Sequence, residues 1–150
     1  MKQAVRAIVI NKDKLLVMKR NKFGHEYYTL IGGHVELGES VEVALHREVH
    51  EETMMDIANR RLVYIESASA PYGDQYIFLC DYVTGDPVLS PEADERQISA
   101  LGDNIYQPMW LPIDKLASVP FRSDKLQKRL IKHIADGFPD MPEHFSSRIS

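Results

Sequence analysis

The sequence holds one cysteine, Cys80, which rules out an internal disulfide. It sits in the apolar run Tyr76-Ile77-Phe78-Leu79-Cys80, where a buried, inert thiol is the expected state. No apolar run comes near the roughly 20 residues needed to span a bilayer, and the opening residues lack the apolar core of a secretory signal. No membrane association is expected, and a cytoplasmic location follows by default. Positive charge is not in excess: 18 Lys and Arg stand against 22 Asp and Glu, a net charge of −4. A protein held on nucleic acid by general attraction to phosphates needs the opposite balance, so no stable nucleic-acid binding is expected. The charge leaves room for a metal that bridges the chain to a phosphorylated small molecule. Internal repeats, linkers and low-complexity tracts are also missing.

What is present fits one domain over residues 1–150, with a core from about 4 to 135. Hydrophobic residues make up 44% and charged residues 27%, both ordinary for a globular chain. Residues 4–10 are rich in β-branched types, and with 15–18 they predict a hairpin across the polar turn 11–14. A third strand over 27–31 is expected to stop at Gly32-Gly33. Further strands are expected at 61–66, 75–83 and 107–111, with a turn at Tyr72-Gly73-Asp74. Residues 84–104 predict a long surface loop, and 123–135 an amphipathic helix. The tail 138–150 is expected to be irregular. Strands, helix, strands, helix suggest an α+β or layered α/β/α domain with a mixed sheet.

The segment 33–55 carries the chemistry, and six of its residues are glutamates. Ser40 is a good helix N-cap, and residues 41–53 contain no Gly or Pro. On a helix, Val41, Ala44, Leu45 and Glu48 share one stripe, and Glu51 and Glu52 flank its end. His46, His50 and Glu42 fall on the opposite, solvated side. Three carboxylates at this spacing repel one another and sit at the helix end where the dipole disfavours anions. Alone they would pass for an ordinary solvated face about as often as for a site. A cation among them would relieve the repulsion. The ligands are all oxygen, which selects a hard ion such as Mg²⁺ or Mn²⁺, and such an ion usually shares substrate phosphates.

The segment resembles the Nudix box, G-x5-E-x7-R-E-U-x-E-E-x-G-U with U aliphatic. Gly33, Glu39, Arg47, Glu48, Glu51 and Glu52 match it in type and spacing. At a frequency of about 6% per residue type, six such matches would arise by chance in roughly one sequence in 10⁵. The opening hairpin, the strand into Gly32-Gly33 and Met109-Trp110-Leu111-Pro112 extend the resemblance. Two positions depart from it: Met54 stands where the box has its helix-closing glycine, and Ile31 where many members have proline.

The resemblance implies a Nudix-like α/β/α sandwich with a mixed sheet. It also implies metal-dependent hydrolysis of a nucleoside diphosphate linked to a further group X. Glu48, Glu52 and the Gly33 carbonyl would hold Mg²⁺ or Mn²⁺, with Glu51 binding directly or through water. Arg47 would hold the glutamates, pairing with Glu48 or Glu39. The base would be Glu48 or a glutamate from the later loop, where Glu92, Asp94 and Glu95 stand. Arg6, Lys19 and Arg20 on the hairpin are candidate phosphate contacts, though solvated strand-edge cations are as common. Tyr27, Tyr28, Tyr72, Phe78 and Trp110 could stack on a base, and Tyr28 is taken as a possible substrate contact; most strand aromatics are core. The expected partner is a small nucleoside diphosphate derivative, by narrow preference a (d)NTP or modified nucleotide; a homodimer is left open. The alternatives are an ADP-ribose or dinucleoside polyphosphate hydrolase, a silent nucleotide sensor, and an RNA-end hydrolase. Pro71 and Tyr72 are adjacent, so the family's substrate cue at this place decides nothing.

Overall fold

The structure, a computed structural model, describes residues 2–69 and 73–147. Strands β1 (Gln3–Asn11) and β2 (Lys14–Lys22) form the predicted hairpin, with Ile10 opposite Leu15. β3 (His25–Thr29) pairs with β2, and β4 (Ile31–His34) pairs antiparallel with β1. Helix α1 (Val41–Thr53) follows, then β5 (Asp56–Ser67) and β6 (Asp74–Thr84). Helix α2 (Asp94–Ala100), β7 (Asn104–Pro112), a 3₁₀ turn (Ile113–Ser118), helix α3 (Asp124–Asp136) and β8 (Glu143–Ser146) complete the chain. The sheet order is β3-β2-β1-β6-β5-β8, with β4 joined to β1 and β7 to β2. It is mixed as expected: β1–β6 and β5–β8 are parallel, and the other pairs are antiparallel.

Alternation along β1 divides the core. Val5, Ala7 and Val9 pack with Ala44, Leu45 and Val49 of α1, while Ile8 packs with Leu126 and Leu130 of α3 on the other face. The α+β layering of helix, sheet and helix is thus observed. Cys80 is buried, and no helix of the described residues is long and apolar enough to cross a membrane.

Four expectations need correction. Gly32 and Gly33 do not stop a strand; they lie inside β4, paired with Arg6 and Val5. The strand expected at 61–66 begins at Asp56, with register irregularities that its sequence does not announce. The long loop contains α2, a short helix without a side-chain cap or a buried residue. Part of the tail is regular: residues 143–146 form β8 along the edge of β5, and Phe145 meets the Tyr64 ring edge-on at 5.9 Å. Tyr72 and Pro71 lie outside the described residues.

Helix α1 begins as predicted, with Ser40 Oγ accepting the Val43 N–H at 3.2 Å. It ends on Met54, whose φ of 56° and ψ of 22° are left-handed. The missing glycine has therefore not changed how the helix stops; a half-exposed Met carries the strain instead. Met54→Gly is expected to stabilise the fold by about 0.5–1 kcal/mol, since the left-handed form costs roughly 1–2 kcal/mol with a Cβ and glycine loses part of that gain in chain entropy. A raised denaturant midpoint at unchanged slope would establish this, and a lowered one would refute it.

Candidate active site

Helix α1 buries Ala44, Leu45, Glu48, Val49 and Glu52 and leaves His46 and His50 exposed, as the stripe requires; Glu42 is half-buried. The side chains of Glu48 and Glu52 leave one face, one turn apart. A third carboxylate reaches them from α2: oxygens of Glu48, Glu52 and Glu95 all lie within 4.8 Å of one another. Glu92 is exposed, outside this group and absent from the cleft wall, so only Glu95 of the two loop candidates is brought in. Glu51 also stays outside the trio; its side chain is 36% exposed and held by Arg47.

The glycine pair makes the approach possible. Gly32 N–H donates to Glu52 Oε1 at 2.9 Å. A Cβ on Gly33 would stand 2.7 Å from the Glu48 carboxylate, and one on Gly32 would stand 1.9 Å from the Val5 carbonyl oxygen. A side chain at Gly33 would displace the Glu48 carboxylate of α1, and one at Gly32 would collide with the β1 backbone.

Arg47 ties the acidic loop to the helix. Its Nε and Nη2 donate to both oxygens of Glu39 at 2.7 and 2.9 Å, and Nη2 also reaches the His34 carbonyl at 3.0 Å. Nη1 donates to Glu48 Oε1 at 2.9 Å and Glu51 Oε2 at 3.2 Å. Both partners named from the sequence are engaged at once. Lysine could not reproduce this fork. Arg47→Lys is expected to lower affinity for Mn²⁺ at least about tenfold, the scale on which groups supporting metal ligands act; titration calorimetry would read it, and unchanged affinity would refute it.

Each ionisation follows from its setting. Hydrogen bonds from Arg47 pull Glu39 down to about 2. Burial lifts Glu48 to about 7, with the charges of Glu95 and Glu51 adding and Arg47 opposing. Burial also raises Glu52 well above the carboxylate range; Glu48 and Glu95 push the same way, and the Gly32 N–H opposes. Glu51 is raised chiefly by burial. Glu48 and Glu52, 7% and 4% exposed, face Glu95, and among the described residues Arg47 on Glu48 is the one cation that forms an ion pair with either. An all-oxygen set that resists ionisation without a cation fits a hard dication.

The trio opens on a cleft of about 570 Å³, within the range of small-molecule sites. Arg6 lines it, with Nε bonded to Gln75 Oε1 at 3.0 Å and Nη1 to the Leu30 carbonyl at 3.2 Å. Arg20 lines it too, and is no solvated edge cation: it is 8% exposed, bonded to Asn104, and 3.6 Å over the Tyr106 ring. Lys19 points away from the cleft and pairs with Glu26 at 3.6 Å. Tyr28 is core, packed with Leu126 and Phe121, while its neighbour Tyr27 faces the cleft. Phe78 is core, and Trp110 stands edge-on to Tyr82 at 5.5 Å. Sequence reasoning missed Glu66, Gln75 and Arg122 on the cleft wall. Glu66 had a signal, being a carboxylate two residues beyond Tyr64 and therefore on the same strand face.

Comparison with known proteins finds likeness in family and in fold. A family model described as "NUDIX domain" matches residues 1–134. The protein named "NAD-capped RNA hydrolase NudC" of Pseudomonas aeruginosa (strain LESB58) is 31% identical over 131 residues, covering 86% of this chain and 41% of that protein. Its namesake in Chromobacterium violaceum is 29% identical, covering 92% and 48%. The chain thus spans less than half the length of these curated relatives. Among solved structures, MutT described from Aliivibrio salmonicida and Vibrio cholerae superposes with a TM-score of 0.64 at 22% identity, covering 88% of this chain and 98% of that one. An ADP-ribose pyrophosphatase from Streptococcus suis gives 0.66 at 18% identity, covering 96% and 98%. At such identities the likeness carries the fold.

Proposed function

The chain belongs to the NUDIX domain family, and on that premise we propose that it is a Mg²⁺- or Mn²⁺-dependent hydrolase of a pyrophosphate bond in a nucleoside diphosphate linked to a group X. The observation that carries this reading is the convergence of Glu48, Glu52 and Glu95 on one point of the cleft. Glu48, Glu52 and Glu95 would hold the cation with the Gly33 carbonyl, and Glu51 would act from the rim through Arg47. A dication bound there neutralises phosphate charge and lowers the pKa of water. The chain's own part is to orient and to take a proton. Arg47 fixes Glu48 by one oxygen and keeps the acidic loop folded over the helix. The proton of the attacking water passes to Glu48 or Glu95, which replaces the wider choice that included Glu92.

The cleft volume suits a small molecule, and a (d)NTP or modified nucleotide remains the preferred substrate. A silent nucleotide sensor would have no use for three converging carboxylates, two of them buried, that oppose one another. The test is a panel of nucleoside diphosphate derivatives assayed with Mg²⁺, with Mn²⁺ and with EDTA. Release of a nucleoside monophosphate or X-phosphate only with metal is expected. Full activity in EDTA would overturn the reading, and tight binding without turnover of any compound would favour the sensor.

A further inference from the structure

A second acidic group lines the same cleft in a different setting. Glu66 on β5 is 1% exposed and stands outside the trio. Its Oε2 accepts a hydrogen bond from Ser123 Oγ at 2.6 Å. The same Ser123 oxygen accepts the Leu126 N–H at 3.2 Å as the N-cap of α3, so the hydroxyl proton is committed to Glu66. Among the described residues no cation pairs with Glu66 and its side-chain hydrogen bond is the one on Oε2, so Oε1 is left to face the cleft that the residue lines. A carboxylate is an acceptor only, and one buried with a single neutral donor is incomplete. What completes it must bring hydrogen-bond donors through the cleft.

The residue beside Ser123 narrows the donor. The Arg122 guanidinium lies 3.9 Å over the Tyr27 ring, and both line the cleft. A guanidinium plane is a surface on which a base stacks. We propose that Glu66 is a specificity-determining residue whose free oxygen accepts N–H donors from the pairing edge of an amino-bearing nucleobase laid against the Arg122–Tyr27 layer. It rests on the hydrolase reading in that the base belongs to the nucleoside diphosphate substrate. Ser123 acts through Glu66 as a positioning residue. The trio serves the phosphates, and Glu66 serves the other end of the molecule.

Equilibrium binding of nucleoside monophosphates without metal tests this apart from turnover. The ligands come in pairs that differ by one amine: GMP and IMP, AMP and purine riboside monophosphate. In the native protein at least one aminated member is expected to bind about tenfold or more tightly than its partner, the scale of a hydrogen bond to a charged group. Glu66→Gln, which keeps size and removes charge, is expected to erase that difference, and Ser123→Ala to reduce it. The Ser123 variant decides the matter if the Glu66 variant does not fold. Equal affinities within every pair, discrimination that survives in both variants, or binding of none would overturn the proposal. Metal-dependent hydrolysis without discrimination would sink this inference alone, and discrimination without hydrolysis would sink the hydrolase reading alone.

Discussion

Glu52→Gln is expected to lower kcat by at least about 10²-fold while leaving the metal-free protein at pH 8 as stable as the native chain, or more so. The two halves have one cause. Glu52 is 4% exposed and faces Glu48 and Glu95, so its ionised form is held against both burial and repulsion. Among the described residues its side chain has one hydrogen bond, from the Gly32 N–H to Oε1, and glutamine keeps that acceptor. The substitution therefore removes a charge the fold resists while preserving shape and hydrogen bond. For a cation the loss is different in kind, because one of three converging anionic ligands becomes neutral. A residue kept for packing would give the reverse pattern, with a weaker fold and ordinary turnover. Steady-state kinetics with Mg²⁺ and thermal unfolding in EDTA separate the cases; unimpaired kcat, or a metal-free fold weakened by several kcal/mol, would remove Glu52 from the site.

Much of this site is legible in the sequence, because helix chemistry is local. Ser40, the Gly-free run after it and the spacing of Glu48 to Glu52 fix a helix, its start and the face its carboxylates share. The opening hairpin is equally local. What stayed hidden depended on contacts distant in sequence. Glu92 and Glu95 are equivalent in composition, and only the turn of α2, a helix with no cap of its own, sends one inward and the other to solvent. Alternation says that Tyr27 and Tyr28 oppose each other but not which one meets the cleft; the choice is made by the core around Phe121 and Leu126. β8 is four residues long and forms because an edge of β5 is free to pair with it. Glu66 lay in view as a charge at an inward strand position, a pattern that period-two reasoning can detect when it looks for exceptions.

Without divalent metal, the protein is expected to lose stability as pH rises from about 4.5 to 7, and Mg²⁺ is expected to restore it at pH 8 but not at pH 5. Glu48 titrates at about 7 in the folded chain against 4.5 when unfolded, chiefly through burial. Between these values the folded state holds the proton and the unfolded state does not, so rising pH favours unfolding, and the effect levels off above about 7. At 1.36 kcal/mol per pH unit, this group alone removes about 3 kcal/mol. Glu52, raised well above its ordinary value by burial and by the charges of Glu48 and Glu95, adds loss of the same sign. His34 works the other way near and below its ordinary 6.5, because burial and the nearby Lys2 and Arg6 charges lower it. Glu39, pulled to about 2 by Arg47, contributes stability above 4.5 that is lost only on further acidification. Subtracting the curve of Glu48→Gln from that of the native protein isolates the descending component. A dication competes with the same protons, so its stabilisation should grow across the window in which the carboxylates release them. Urea unfolding at pH 5, 6, 7 and 8, in EDTA and in Mg²⁺, measures both effects. A native-minus-variant difference that is flat or rising in EDTA would show that burial does not penalise these charges. Equal stabilisation by Mg²⁺ at pH 5 and pH 8 would show that the ion binds elsewhere.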